Sequence, residues 1–313
     1  MPISDYKGRQ GESGFVTPEY SSRTSLGKQT FRGLNSSSAL NNAIHHYQFG
    51  AVAAFVALHL AVLAVFLVPF RWQYLGLMLA MYVARMFGVT AGYHRYFSHR
   101  SYKLNRSFQF AMAVLAQSSG QKSVLWWAAH HRVHHRHSDQ QPDVHSPGLR
   151  GFWWAHAGWV ISNDYDQYDP GLIRDFGKFP ELRWLDRYHW VPTALLGAAI
   201  YWAGGLGAFL WGYVLSTVLL YHATFCINSL AHVWGTRRFD TADESRNNFV
   251  LAVITLGEGW HNNHHRFMHA CRQGILWWEV DFTYYGLRIL NWLGIARELR
   301  GVRLPHSEAE AGT

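Results

Sequence analysis

The sequence predicts an all-α integral membrane protein with four membrane helices in two hairpins, and three observations predict it. Apolar stretches long enough to cross a bilayer occur in pairs joined by short turns. Lys and Arg avoid those turns: five precede the first stretch, twelve lie between Tyr93 and His189 and nine follow His232, whereas the two turns together hold only Arg71. Nine histidines fall into four clusters, and all of them lie at or just beyond helix ends on the basic side.

The elements follow in order. Residues 1–45 are rich in Ser, Gly, Asn and Thr and lack the apolar core of a cleavable signal, so they are expected to be a flexible cytosolic segment. Residues 50–70 form a first span of about the 20 residues that hydrocarbon requires, and 74–92 form a second after the turn Arg71-Trp72-Gln73. Residues 190–206 make a short third arm, broken by Gly204-Gly205-Leu206-Gly207, and 209–231 make the fourth. Even parity puts both termini and both long polar segments on one side, and the basic residues make that side cytoplasmic. Residues 108–127 and the aromatic-rich 274–293 are expected to lie at the membrane boundary. Residues 46–303 read as one integrated domain, followed by a disordered tail at 304–313.

Composition agrees. With 15 Trp, 16 Tyr, 19 Phe and 49% hydrophobic residues the chain suits a lipid-facing protein, yet a mean hydropathy of −0.11 requires a large polar portion outside the bilayer. The net charge of +8 is accounted for by the topology and calls for no nucleic-acid partner. Cys226 and Cys271 give no disulfide framework.

The clusters are His94-x4-His99, His131-x2-His134-His135, His232 and His261-x2-His264-His265. On a helix, residues three and four apart share a face, so each triplet is expected to converge on one point. His94 and His99 are five apart, which a straight helix would splay by roughly 140°, so this pair requires irregular backbone after Gly92. Nine imidazoles exceed the four or so ligands of one structural zinc, which points to two ions. Neither H-E-x-x-H nor C-x2-C is present, and spacing leaves iron, copper, zinc and nickel open.

The runs Gly92-Tyr93-His94-Arg95-Tyr96-Phe97-Ser98-His99-Arg100-Ser101-Tyr102, His131-Arg132-Val133-His134-His135 and Gly257-Glu258-Gly259-Trp260-His261-Asn262-Asn263-His264-His265 resemble the three histidine boxes of the membrane fatty acyl desaturases, in their Δ9 or stearoyl-CoA branch and of bacterial type. Asn228-x3-His232 is similar to that branch's extra ligand element. Asp143-x-His145 and the run Arg150-Gly151-Phe152-Trp153-Trp154-Ala155-His156-Ala157-Gly158-Trp159 resemble its linker after the second box. The resemblance implies four membrane helices under a cytosolic helical cap, a non-haem site of two irons, and O2-dependent insertion of a cis double bond into a C16 or C18 acyl chain at Δ9. It further implies that the nine clustered histidines hold the irons and that Asn228 holds a site water. Asp139, Asp143 and Glu258 are candidate acceptors for the second ring N–H of ligating histidines.

Other readings complete the picture. His130, His137 and His269 are expected at the surface or behind the ligands, His222 near the acyl tunnel, and His59 as a satisfied polar group. Tyr82 and Met86, four apart on the second span, are candidates for the tunnel floor. Where animal acyl-CoA desaturases carry Trp-Ala-Arg-Asp before the second box, this chain has Trp127-Ala128-Ala129-His130. Acyl-CoA remains the expected carrier, with Lys122, Arg132, Arg136 and Arg150 as substitute phosphate contacts and Trp153 as a further substrate residue; lipid-linked chains are the alternative. The chain has no dinucleotide fingerprint, C-x-x-C-H or cytochrome b5 segment, so electrons are expected from a separate ferredoxin-, rubredoxin- or cytochrome b5-like protein and its reductase, at a bacterial inner membrane. The rivals are a di-iron membrane hydroxylase and a non-enzymatic metal carrier.

Overall fold

A computed structural model describes Tyr47 and residues 49–302. The expectations for the first 45 residues and for the tail after residue 303 lie outside the described residues. Among the described residues the chain is mostly helical, with one short antiparallel pair, β1 (Lys103–Leu104) against β2 (Ala296–Arg297).

The helices in chain order are α1 (Phe49–Val62), α2 (Trp72–Phe87), α3 (Arg106–Gln117), α4 (Val124–His137), the short α5 (Pro147–Arg150), α6 (Phe152–His156), α7 (Arg174–Gly177) and α8 (Pro180–Arg187). There follow α9 (Val191–Ala208), α10 (Ser216–Asn228), α11 (Phe249–Ile254), α12 (His261–Arg266) and α13 (Phe282–Trp292). Between α2 and α3 the backbone runs as a π-helix over Gly88–Ser98, and a second π segment, Phe209–Leu215, precedes α10.

Three helical stretches are long and apolar enough to cross a membrane: Phe49–Leu67, Trp72–Ser98 and Val191–His232. The third has 42 residues, about 63 Å if straight and twice the hydrocarbon thickness. It is not straight. Gly205 takes φ 69°, and Thr193 Oγ1 lies 2.8 Å from the Tyr213 hydroxyl. Those residues would be about 30 Å apart on one straight helix, so the chain folds back on itself at the glycine. The apolar outer faces of these stretches are bare, with Leu60, Leu63, Phe66 and Trp202 exposed.

The core surrounds the π-helix Gly88–Ser98, all of whose residues are buried. Gly88 lets it approach α3, since a Cβ there would meet the Leu115 backbone at 2.9 Å. Arg132 of α4 clamps the far end, donating to the Phe97 carbonyl at 2.7 Å, the Ser98 carbonyl at 3.0 Å and both Asp175 oxygens at 2.9 Å. His59 of α1, His222 of α10 and His156 of α6 form a chain. His59 Nε2 is 3.0 Å from His222 Nε2, and His222 Nδ1 is 3.0 Å from His156 Nε2. The Phe55 carbonyl, 2.7 Å from His59 Nδ1, can only accept, so His59 carries its proton on Nδ1. His222 and then His156 must therefore donate from Nε2, and the chain ends at Ser229 Oγ, 3.0 Å from His156 Nδ1 and 3.0 Å from the Phe225 carbonyl.

Candidate metal centre

The π-helix brings His94 and His99 together. Its i→i+5 bonds, of which His99 N–H to the His94 carbonyl at 3.2 Å is one, put residues five apart on one face, and the two rings lie 4.8 Å apart. The irregular backbone required by their spacing is this π segment, although it begins at Gly88 rather than after Gly92. Ser123 caps α4, its Oγ accepting from Trp126 N–H at 3.0 Å, and starts the helix that carries the second cluster.

Each triplet is divided, not convergent. His131 and His135 join His94, His99 and His264 in one group, while His134 joins His232, His261 and His265 in a second; within each group the ligand atoms lie within 4.8 Å of one another. The cause is helical angle. His131 and His135 point within about 40° of each other while His134 lies about 60° to one side, so α4 faces the gap between the groups and serves both. By the same rule α12 gives His264 to one group and His261 and His265 to the other.

Carboxylates fix the ring orientations. His94 Nδ1 is 2.5 Å from Glu258, His134 Nδ1 3.1 Å from Asp143, His232 Nδ1 2.8 Å from Asp139 and His265 Nδ1 2.6 Å from Asp243. Burial alone would raise these acids, but His232, His134 and His265 hold Asp139, Asp143 and Asp243 far below the ordinary carboxylate range, and His94 with Arg95 holds Glu258 at about 2. Arg95 is itself fully buried, paired with Glu258 at 2.9 Å and Asp281 at 3.0 Å. With Nδ1 protonated, Nε2 is a bare donor turned inward. Burial and neighbouring imidazoles push His99, His131, His135, His261 and His264 well below the usual histidine value, so all stay neutral.

The donor set fits cations. His264 Nε2 lies 3.0 Å from both His94 Nε2 and His135 Nε2, more lone pairs than protons can reconcile, and His265 Nε2 is buried without a hydrogen-bond partner. Two adjoining sets of neutral nitrogen donors can hold two metal ions. A third grouping, His134 with Asp143 and His145, shares His134, whose Nδ1 is already engaged by Asp143.

Two small cavities meet at this centre. Trp127, His131, Thr224 and Asn228 line both; Met86, Val89 and Thr90 continue one, Trp126, Trp159 and Val160 the other. Tyr82 does not line either cavity; its hydroxyl donates to the Ile254 carbonyl at 2.6 Å. Lys122 pairs with Asp166 at 2.8 Å, Arg150 donates to the Asp143 carbonyl at 3.1 Å and sits over the Tyr165 ring, and Arg132 is spent on its clamp. Arg136 and Trp153 are exposed. Of the histidines expected outside the ligand set, His130 is buried against Trp126, His137 is half-buried and His269 is exposed. Sequence reasoning missed Asp243 and Gln273, which donates to Glu258 at 2.7 Å.

Comparison with known proteins bears on this centre. The family model described as fatty acid desaturase matches residues 70–288. The chain is 35% identical over 249 residues to an sn-1 stearoyl-lipid 9-desaturase of Anabaena variabilis, covering 79% of this chain and 91% of that one. It is 37% identical over 240 residues to an sn-2 palmitoyl-lipid 9-desaturase of Nostoc sp. (strain 36), covering 74% and 82%. It is also 37% identical over 235 residues to an acyl-CoA 5-desaturase of Anemone leveillei, covering 74% and 73%. Buried imidazole groups in a chain with membrane-length apolar helices, matched over most of its length by that model, make it a member of the fatty acid desaturase family, an oxidoreductase of lipid metabolism.

Proposed function

We propose that the protein is an O2-dependent desaturase that inserts a cis double bond at Δ9 of a saturated C16 or C18 acyl chain. The observation that carries this reading is the placement of two imidazole groups at the junction of two apolar-walled cavities. His94, His99, His131, His135 and His264 would hold one iron and His134, His232, His261 and His265 the other, with Asn228 beside them. When bound, the iron pair supplies O2 activation and the oxidising power that an unactivated C–H bond demands. Two hydrogens leave the chain, two electrons and two protons arrive from outside, and O2 becomes two waters.

The protein's own residues do the rest. Trp127, Thr224 and Asn228 line the junction and fix where the chain bends. Thr224 Oγ1 accepts from Gln121 at 3.1 Å and donates to the Leu220 carbonyl at 2.9 Å, so it offers no competing bond to the substrate. Asp139, Asp143, Asp243 and Glu258 hold the imidazoles in their ligating tautomer, and the apolar lining excludes water.

The fold-back at Gly205 supports reading the third long helix as two spans. That gives four, with residues 46–303 as one domain and both termini and the metal centre cytoplasmic, in a bacterial inner membrane. A separate ferredoxin-, rubredoxin- or cytochrome b5-like donor delivers the electrons. Acyl-CoA is the carrier that the branch resemblance favours. A lipid-linked chain is a second reading, favoured because Lys122, Arg132 and Arg150 all have partners within the fold.

Expression in a desaturase-deficient host with fatty-acid profiling tests the proposal. A new cis-Δ9 monoene of C16 or C18 is the expected product. Hydroxy acids alone would place the protein among the hydroxylases.

A further inference from the structure

A second apolar space lies outside the metal centre. It is a groove of about 1030 Å³ on the outer face of α2, with Val83, Ala84 and Phe87 on one side, Leu115 behind, and Leu256 and Phe282 opposite. Its lining is all apolar.

The groove lies beside the inner cavity that Met86, Val89 and Thr90 line: two elements contribute consecutive residues to both, and a third places the neighbour of a groove residue against Thr90. In α2, Met86 faces inward and Phe87 outward. Past α11, Thr255 faces inward and Leu256 outward. In α13, Phe282 faces the groove while the Thr283 hydroxyl lies 2.7 Å from that of Thr90.

The wall is tied to α13, where Thr283 N–H donates to the Leu256 carbonyl at 2.9 Å, but it is strained and lightly held on the α2 side. Leu256 holds φ 57°, in the left-handed region that a branched side chain rarely adopts. Its N–H reaches the Val253 carbonyl only at 3.4 Å. One side-chain hydrogen bond crosses from α2 to this turn, from the Tyr82 hydroxyl to the Ile254 carbonyl.

We propose that the groove is a second acyl site, which takes the methyl end of the chain when the Tyr82 bond opens and lets the product leave sideways into the bilayer. The occupant follows from the chemistry. The groove lies on Trp72–Ser98, a stretch apolar and long enough to cross a membrane, and it offers no hydrogen-bond partner to water or to a polar ligand. A chain confined in a bent cavity would otherwise have to back out along its whole length. The inference rests on reading the inner cavity as the acyl site.

The test uses full-length, iron-loaded protein in phospholipid nanodiscs, with stearoyl-CoA and, separately, distearoyl phospholipid as substrates. Ala84→Trp fills the groove, and Gly286→Leu fills it from α13. Product release limits many enzymes, so either substitution should raise the ratio of first-turnover rate to steady-state rate by about fivefold. Tyr82→Phe, which removes the bond and keeps the ring, should lower that ratio. Iron content and melting temperature identify a variant that has failed to fold, in which case the other two decide. Ratios equal to that of the unsubstituted protein in the folded variants would overturn the groove. No alkene from the unsubstituted protein in its first turnover would instead overturn the reading of the inner cavity.

Discussion

At the scale of single residues, the centre depends on nitrogen atoms whose protons have been placed elsewhere. An imidazole can ligate through Nε2 only while Nδ1 holds the proton, and four carboxylates enforce that here. Asp243→Asn should weaken iron binding about 10- to 100-fold, because an amide oxygen accepts the His265 proton less strongly. His135→Ala or His264→Ala should lower bound iron and abolish desaturation, while His137→Ala changes neither. Iron analysis of purified variants with product assays checks all of these. The nine histidines were legible because their spacing lies within short helical runs. Asp243 was not. An acceptor for Nδ1–H can come from any loop that passes the ring, and Asp243 lies 22 residues before His265, with α11 between them.

At the scale of elements, the long apolar helices were legible from length and polarity, since hydrocarbon tolerates little else. The division of each triplet between two groups was not, because spacing tells which residues share a face and not how many targets that face meets. The π-helix was half legible: the five-residue gap between His94 and His99 demanded irregular backbone without saying which kind. Gly205 carries the prediction at this scale. Its φ of 69° admits glycine freely, and nothing lies within 4 Å of a Cβ built there. Gly205→Val should therefore cost about 1–2 kcal/mol through backbone strain alone. A lower melting temperature with iron content retained is the expected signature, and Gly50→Val, at a glycine with equal space and no positive φ, should show no such loss.

At the scale of the whole molecule, charge and apolar surface divide the labour. Bare aromatic and aliphatic faces cover the long helices, and Trp277, Trp292 and Phe282 extend the apolar surface to the residues around α13. Lys and Arg, 28 against 20 acids, gather outside the spans. Those priors speak to which segments are apolar, whereas the seating of α4 and α12 between the two imidazole groups comes from packing that no local pattern encodes.

That seating has a thermodynamic consequence. Because α4 and α12 each contribute to both groups, an ion captured by either one fixes the two helices on which the other depends. The ordering cost falls on the first binding event and is largely spared the second, so loading should be cooperative. Titrating metal-free protein with ferrous iron and counting ions by native mass spectrometry should give mainly the empty and doubly loaded forms, with the singly loaded form scarce at half saturation. A statistical distribution, with about half of the molecules holding one ion at that point, would mean that the shared helices are already ordered without metal.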